Sequence, residues 1–305
     1  MRITLVHQAA LGDTILLLPL LAGLRGRYPR ARITLVSHAS LGRLLQRMGA
    51  VDDHGSAEGP EHGRWFADDG ASASGRPEWA ACDLLISAVS DGKDAWAQHA
   101  EHAAPDARRV YFEPRPPADY AGHVTRYHRE QLAAQGLELP EPAAGIANVN
   151  ENGAVLIHPG SGGAAKCWPR ERFGSVAEKL EARGIVVKWL LGPVETERWG
   201  AASVDALRCR FSVLIHQDIE TVYAELVKAR LYLGNDSGVT HLAAASGIRT
   251  VALFGPSNLM QWRPVGPQVQ VVKAPGGELS ALRVDGVFDH VFACFRPTSA
   301  DCALE

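Results

Sequence analysis

Residues 234–245 (Gly-Asn-Asp-Ser-Gly-Val-Thr-His-Leu-Ala-Ala-Ala) carry side chains whose types and spacing suit an anion site. They follow an apolar run, 229–233, that reads as a buried strand, and they open a small-residue segment that reads as a helix. Asp236 and Ser237 are good N-cap residues, and Gly238 lets backbone approach a ligand. A strand feeding a capped helix start presents unpaired N–H groups and the positive end of the helix dipole. His241, in the first turn, can hydrogen-bond the same anion. The same twelve residues also suit a plain, well-capped helix in a strand–helix–strand unit.

Three more segments fall just past expected strands. Residues 158–169 (His-Pro-Gly-Ser-Gly-Gly-Ala-Ala-Lys-Cys-Trp-Pro) can wrap an anion with backbone amides around Ser161 and Gly162 and with the Lys166 ammonium. Ala165 and Cys167 exclude a Walker A loop, and no G-x-G-x-x-G opens a helix here, so the alternative is a flexible turn. Gly12 and Asp13 enter the first helix, where Asp13 is either a general base or a helix cap. Glu195, in Gly-Pro-Val-Glu after a strand ending at Leu191, either holds a ribose diol or sits in the first turn of a helix.

These positions need a scaffold of alternating strands and helices. Strands are expected at 2–6, 32–36 and 83–88 and helices at about 13–28, 41–48 and 123–136, which implies right-handed βαβ units and a parallel sheet. Residues 52–80 have little periodicity and read as loop. A linker at 139–153 precedes a second alternation: strands at 154–158, 186–191, 229–233 and 250–254, and helices at 170–183 and 219–229. The expected division is 1–145, 146–278 and a C-terminal helix or tail, 279–305, that packs back on the first half. Two such halves place a ligand cleft between them, at the carboxyl ends of the strands.

Composition narrows the partners. The 305 residues are 46% hydrophobic and 21% charged, with a net charge of −3, which argues against nucleic acid. Five cysteines (82, 167, 209, 294 and 302) form no C-x-x-C pair, so a reducing cytoplasm is the default. The apolar run 15–24 contains a proline and is too short to span a membrane. No D-x-D, H-E-x-x-H or clustered His/Cys set supports a metal site, and His99 and His102 are read as decorating a solvated face. The basic cluster Arg25, Arg27, Arg30 and Arg32 reads as the end of a solvated helix rather than a lipid contact.

Taken in order, these motifs resemble the family-nine glycosyltransferases, the ADP-heptose:lipopolysaccharide heptosyltransferases. The resemblance spans Gly12-Asp13 with Pro19, Pro159-Gly160 through Lys166-x-Trp168-Pro169, Gly192-Pro193-x-Glu195, Asn235-Asp236-Ser237-Gly238-x-x-His241, Gly255-Pro256, and Trp262-x-Pro264-x-Gly266. It implies an α/β GT-B fold, two facing Rossmann-like domains with parallel sheets and an interdomain cleft. The acceptor would bind the N-terminal half and the nucleotide sugar the C-terminal half.

It implies an inverting transfer from an ADP-sugar, as ADP-heptose, to a glycan or glycolipid hydroxyl. No cofactor is obligatory, and the protein is expected to be cytoplasmic, touching the inner membrane peripherally. By the same resemblance Asp13 is the catalytic base. Ser161, Gly162, Lys166, Ser237, Gly238 and His241 serve the donor diphosphate, and Glu195 and Gln217 the ribose and adenine. Asp236 is read as the cap that holds the Ser237 and Gly238 amides, because a carboxylate beside a diphosphate would repel it. Lys93 is the one candidate acceptor contact. The alternatives are a nucleotide-sugar-binding paralogue without catalysis, and a GT-B-like sugar-nucleotide enzyme such as an epimerase.

Overall fold

The strand β1 (Arg2–Val6) is buried from Ile3 to Val6, as the central strand of a parallel sheet covered on both faces must be. It opens the first of two units, Met1–Ala143 and Ala144–Glu305. The computed structural model describes residues 1–58, 63–66, 77–143 and 145–295.

In the first unit, α1 (Leu11–Ile15) and α2 (Leu18–Arg27) replace the single expected helix. Pro19 falls in the first turn of α2, where its missing N–H costs nothing, so the chain starts a new helix there. β2 (Arg32–Ser37), α3 (Ala39–Arg47), β3 (Asp53–Ser56), β4 (Leu84–Ser87), α4 (Ala95–Ala103), β5 (Arg108–Tyr111) and α5 (Val124–Ala134) follow. The strands form one parallel sheet in the order β3-β2-β1-β4-β5.

The expectation of loop over 52–80 is corrected at β3. Its Asp-His-Gly-Ser sequence has no apolar alternation, and backbone pairing from Thr34–Asp53 to Ser37–Ser56 is what makes it an edge strand. Residues 59–62 and 67–76 of that segment lie outside the described residues. Nearby, Trp65 packs on Trp79 at 4.8 Å and on Trp96 at 5.8 Å, building a second apolar cluster with Val6, Val36 and Leu85.

The second unit runs β6 (Val155–His158), α6 (Arg170–Glu181), β7 (Val187–Leu191), α7 (Pro193–Trp199), α8 (Ala201–Arg208) and β8 (Ser212–Ile215). Next come α9 (Ile219–Lys228), β9 (Leu231–Asn235), α10 (Gly238–Ala245), β10 (Arg249–Phe254), α11 (Leu259–Trp262), β11 (Val269–Lys273) and α12 (Val284–Ala293). The sheet is again parallel, ordered β11-β10-β9-β6-β7-β8. The predicted apolar face of α6 is buried in full at Phe173, Val176, Ala177 and Leu180. In α12, Val287, Phe288 and Val291 join the second unit's own core, beside Val272 and Phe173, while residues 296–305 of the expected tail lie outside the described residues.

Both sheets reverse strand order at one place, between β1 and β4 and between β6 and β9. Loops leaving the strands on either side of such a reversal run in opposite directions, and α/β sheets characteristically bind ligands there, at the carboxyl ends of the strands.

Candidate functional site

In the second unit the loops after β6 and β9, neighbours across the reversal, carry most of the residues singled out in the sequence. Asn235 ends β9 fully buried and ties the two loops together. Its Nδ2 donates to the Pro159 carbonyl at 2.7 Å, and its Oδ1 accepts from the Trp168 N–H at 3.0 Å. The glycine-rich loop 159–168 is therefore pinned at both ends. Trp168 is itself buried and donates its indole N–H to the Leu282 carbonyl at 3.2 Å.

Gly234 is needed beside it. A Cβ there would stand 2.4 Å from the Tyr232 hydroxyl and 2.8 Å from the His158 carbonyl. That hydroxyl meets Thr240 Oγ1 at 3.0 Å, and Thr240 also donates to the Asn235 carbonyl, so the start of α10 is braced on β9.

The N-cap of α10 is Ser237, whose Oγ accepts from Thr240 N. This corrects the assignment of Asp236 as the cap. The Asp236 carboxylate turns away from the helix amides because better partners lie elsewhere: Oδ2 accepts from Lys166 Nζ at 2.9 Å and from Ser257 Oγ at 2.5 Å. His241 Nε2 stands 3.9 Å from the other oxygen. The Asp236 side chain is 8% exposed and that of Lys166 43%, so a buried anion is held by a cation that reaches toward solvent. Ser161 is buried and donates its hydroxyl to the Asp236 carbonyl at 2.6 Å, and Gly162 beside it is exposed.

Glu195 occupies the third turn position of α7, and its Oε2 accepts from Gly192 N at 2.8 Å, so the helix-start reading accounts for one oxygen. The carboxylate is buried against Gly160, where an added Cβ would lie 2.0 Å from Oε1. His158 lies 3.9 Å from Oε2; burial pushes its imidazole down from the usual range, and the Glu195 charge works against that. Gln217 is exposed between β8 and α9 and donates to the Ile215 carbonyl at 2.8 Å. Before it, His216 takes φ +50 and meets Thr196 Oγ1 at 2.5 Å, linking this turn to α7.

In the first unit Asp13 lies in the first turn of α1, whose N-cap is Ala10, so it caps nothing. Its Oδ2 accepts from Arg115 Nη2 at 3.1 Å instead. Arg115 stands between Pro114 and Pro116, and the Pro114 carbonyl accepts from His128 Nε2 at 2.8 Å on α5. Burial pushes the His128 imidazole down from the usual range, and the hydrogen bond to Pro114 works against that. His7, just past the end of β1, is buried, and among the described residues neither ring nitrogen has a hydrogen-bond partner. Burial brings it down to about 4; Asp13 opposes that fall, and His128 and His38 add to it. Sequence reasoning missed Arg115, Ser257 and His7.

Lys93 is exposed in the loop after β4, where its backbone N–H donates to Asp91 at 2.8 Å. His99 is not on a solvated face: its Nδ1 meets the Trp65 carbonyl at 3.0 Å, whereas His102 is exposed. Of the basic cluster, Arg25 pairs with Asp52 at 2.6 Å and Arg32 with Asp53 at 2.5 Å. Among the described residues no three His, Cys, Asp or Glu side chains come together to hold a metal ion, and no helix is long and apolar enough to cross a membrane.

The sequence pattern of glycosyltransferase family 9 (heptosyltransferase) matches residues 109–289, which takes in β5 to α12 and the whole Lys166–Asp236 site. The chain belongs to that family. It is 30% identical over 122 residues to a lipopolysaccharide heptosyltransferase 3 of Escherichia coli, a match covering 39% of this chain and 35% of that protein. The match therefore spans about a third of that relative's length. Lipopolysaccharide heptosyltransferase 2 of Salmonella typhimurium is 23% identical over 309 residues, covering 90% of this chain and 88% of that protein. The solved structure of E. coli heptosyltransferase WaaC with ADP superposes with a TM-score of 0.72 at 21% identity, over 96% of this chain and 100% of that one. This family-9 chain thus has the GT-B fold of two Rossmann-like units.

Proposed function

We propose that this chain is an inverting glycosyltransferase that moves a heptose or related sugar from an ADP-sugar to a hydroxyl of a lipopolysaccharide-core-like glycan, working at the cytoplasmic face of a membrane. One observation carries the reading. The loops after β6, β9 and β10 meet on a lysine–carboxylate pair at the strand-order reversal, beside the free amides at the start of α10.

Glycosyl transfer needs a leaving group stabilised and a hydroxyl activated. As the anomeric C–O bond breaks, negative charge grows on the ADP β-phosphate. The Gly238 end of α10, the backbone around Ser161 and Gly162, Lys166 and His241 supply hydrogen-bond donors to that charge. Glu195 offers its remaining lone pairs to the ribose diol, and the backbone near Gln217 serves the adenine. Asp13 accepts the proton of the acceptor hydroxyl as that oxygen attacks from the face opposite the diphosphate. Arg115 fixes where its Oδ2 points.

Calorimetry with ADP, GDP and UDP, followed by mass spectrometry of ADP-heptose with and without a core oligosaccharide, tests the reading. It predicts selective ADP binding and a glycan heavier by one heptose. Binding with no transfer to any glycan would make the chain a nucleotide-sugar-binding paralogue. Conversion of the donor without an acceptor would make it an epimerase-like enzyme.

A further inference from the structure

The Asp236 carboxylate poses a problem for a site that takes a diphosphate. Its Oδ2 is the partner of Lys166 Nζ, on a long side chain that is 43% exposed. A diphosphate arriving at the start of α10 competes with Asp236 for that ammonium. If the ammonium leaves, a carboxylate only 8% exposed loses its cation, and a buried charge without a partner is severely unfavourable. Something must hold Asp236 when Lys166 is drawn away.

Ser257 stands where that need arises. Its Oγ donates to the same Oδ2 at 2.5 Å, from the loop that leaves β10 through Gly255 and Pro256. Pro256 fixes the backbone angle before it, and β10 is buried from Thr250 to Phe254, so the hydroxyl is presented from a rigid element. Lys166, in contrast, sits at the end of a flexible side chain on a loop whose Gly162 has nothing within 4 Å of where a Cβ would be. One oxygen thus has two donors of different mobility.

We propose that Ser257 is a positioning residue of the donor site: its hydroxyl keeps Asp236 hydrogen-bonded while Lys166 shifts its ammonium from Asp236 to the donor's diphosphate. The exchange makes Lys166 available without unpairing the buried carboxylate, because a charge-assisted hydrogen bond to a hydroxyl remains. It also explains how a carboxylate can border an anion site: in the empty protein Asp236 occupies the cation that the diphosphate will take. This inference rests on the donor-diphosphate reading of Lys166.

The test is the affinity for ADP and for AMP, which lacks the β-phosphate, in the wild-type protein, S257A, S257T and K166M. S257A is expected to weaken ADP about tenfold while leaving AMP unchanged, and S257T to restore ADP binding. In the K166M background, S257A is expected to add nothing. Unchanged ADP affinity in S257A, equal losses for ADP and AMP, or a full-sized S257A effect without Lys166 would each overturn the proposal while ADP preference stands. A wild-type protein that binds ADP no better than AMP, with K166M indistinguishable from it, would instead remove the diphosphate reading and this inference with it.

Discussion

Arg115 Nη2 lies 3.1 Å from Asp13 Oδ2, joining the first turn of α1 to the proline-flanked turn after β5. The two residues differ in exposure, 72% for the arginine side chain and 19% for the carboxylate, so the guanidinium reaches in from solvent to a half-sheltered acid. The bond also fixes the acid's direction, because Arg115 is held by prolines on both sides and by the bond from His128 to Pro114. If Asp13 is the base, Arg115 governs its aim. Arg115→Met is expected to lower kcat about 10- to 100-fold with the donor KM unchanged, as small misplacements of a catalytic group do. Arg115→Lys should retain more of the rate. Steady-state kinetics with each substrate varied at saturating levels of the other checks this; a change confined to acceptor KM would assign Arg115 to substrate binding alone.

Gly160→Ala is expected to damage the second unit's site from behind. The new Cβ would lie 2.0 Å from Glu195 Oε1 and 3.0 Å from His158 Nε2, so the carboxylate must leave its position. Overpacking of this kind costs about 1–3 kcal/mol. ADP affinity should fall with it if Glu195 holds the ribose, and calorimetry beside a denaturant melt reads both effects.

Asn235→Leu removes two buried hydrogen bonds, those to Trp168 N and the Pro159 carbonyl. Each buried group left unsatisfied costs about 1–3 kcal/mol, so urea unfolding should show a loss on the order of 2–5 kcal/mol. Proteolysis should then nick the chain first within 159–168. A variant of wild-type stability would show that the loop is held by Trp168 packing alone.

Acid should destabilise the fold through its buried imidazoles. His7 stands at about 4 in the native chain against 6.5 for an ordinary histidine, because burial disfavours its cation. Above pH 6.5 both states are neutral and the group is silent. As pH falls from 6.5 toward 4 the unfolded chain takes up a proton that the folded one refuses, which removes about 3 kcal/mol of stability. His158 moves in the same direction. His7→Phe should therefore flatten the pH dependence of urea midpoints over that window, and an unchanged slope would mean that His7 takes up its proton at the same pH in the folded and unfolded chain.

Much of this was legible in the sequence where the signal is local. The runs 155–157 (Val-Leu-Ile) and 189–191 (Trp-Leu-Leu) are apolar segments, and the glycines and lysine of 158–169 mark a loop that must approach something closely. The edge strands β3 and β8 were not legible, because Asp-His-Gly-Ser carries no alternation and becomes a strand only by pairing with β2, while Ser-Val-Leu-Ile is short and half-exposed beside β7. Side-chain pairing was hidden for a different reason. Arg115 and Asp13 are 102 residues apart, and Ser257 and Asp236 are brought together only by parallel alignment of β10 with β9. An aspartate before a serine reads as a cap from sequence; a lysine 70 residues earlier decides otherwise.

The most direct test of the account is a single-turnover measurement of ADP release from ADP-heptose with acceptor present, comparing the wild-type protein with Asp13→Asn, alongside ADP affinity by calorimetry. The account predicts ADP affinity within twofold of wild type and release slowed by about a thousandfold, within the range expected when a general base is lost. Release at the wild-type rate with ADP still bound would contradict it.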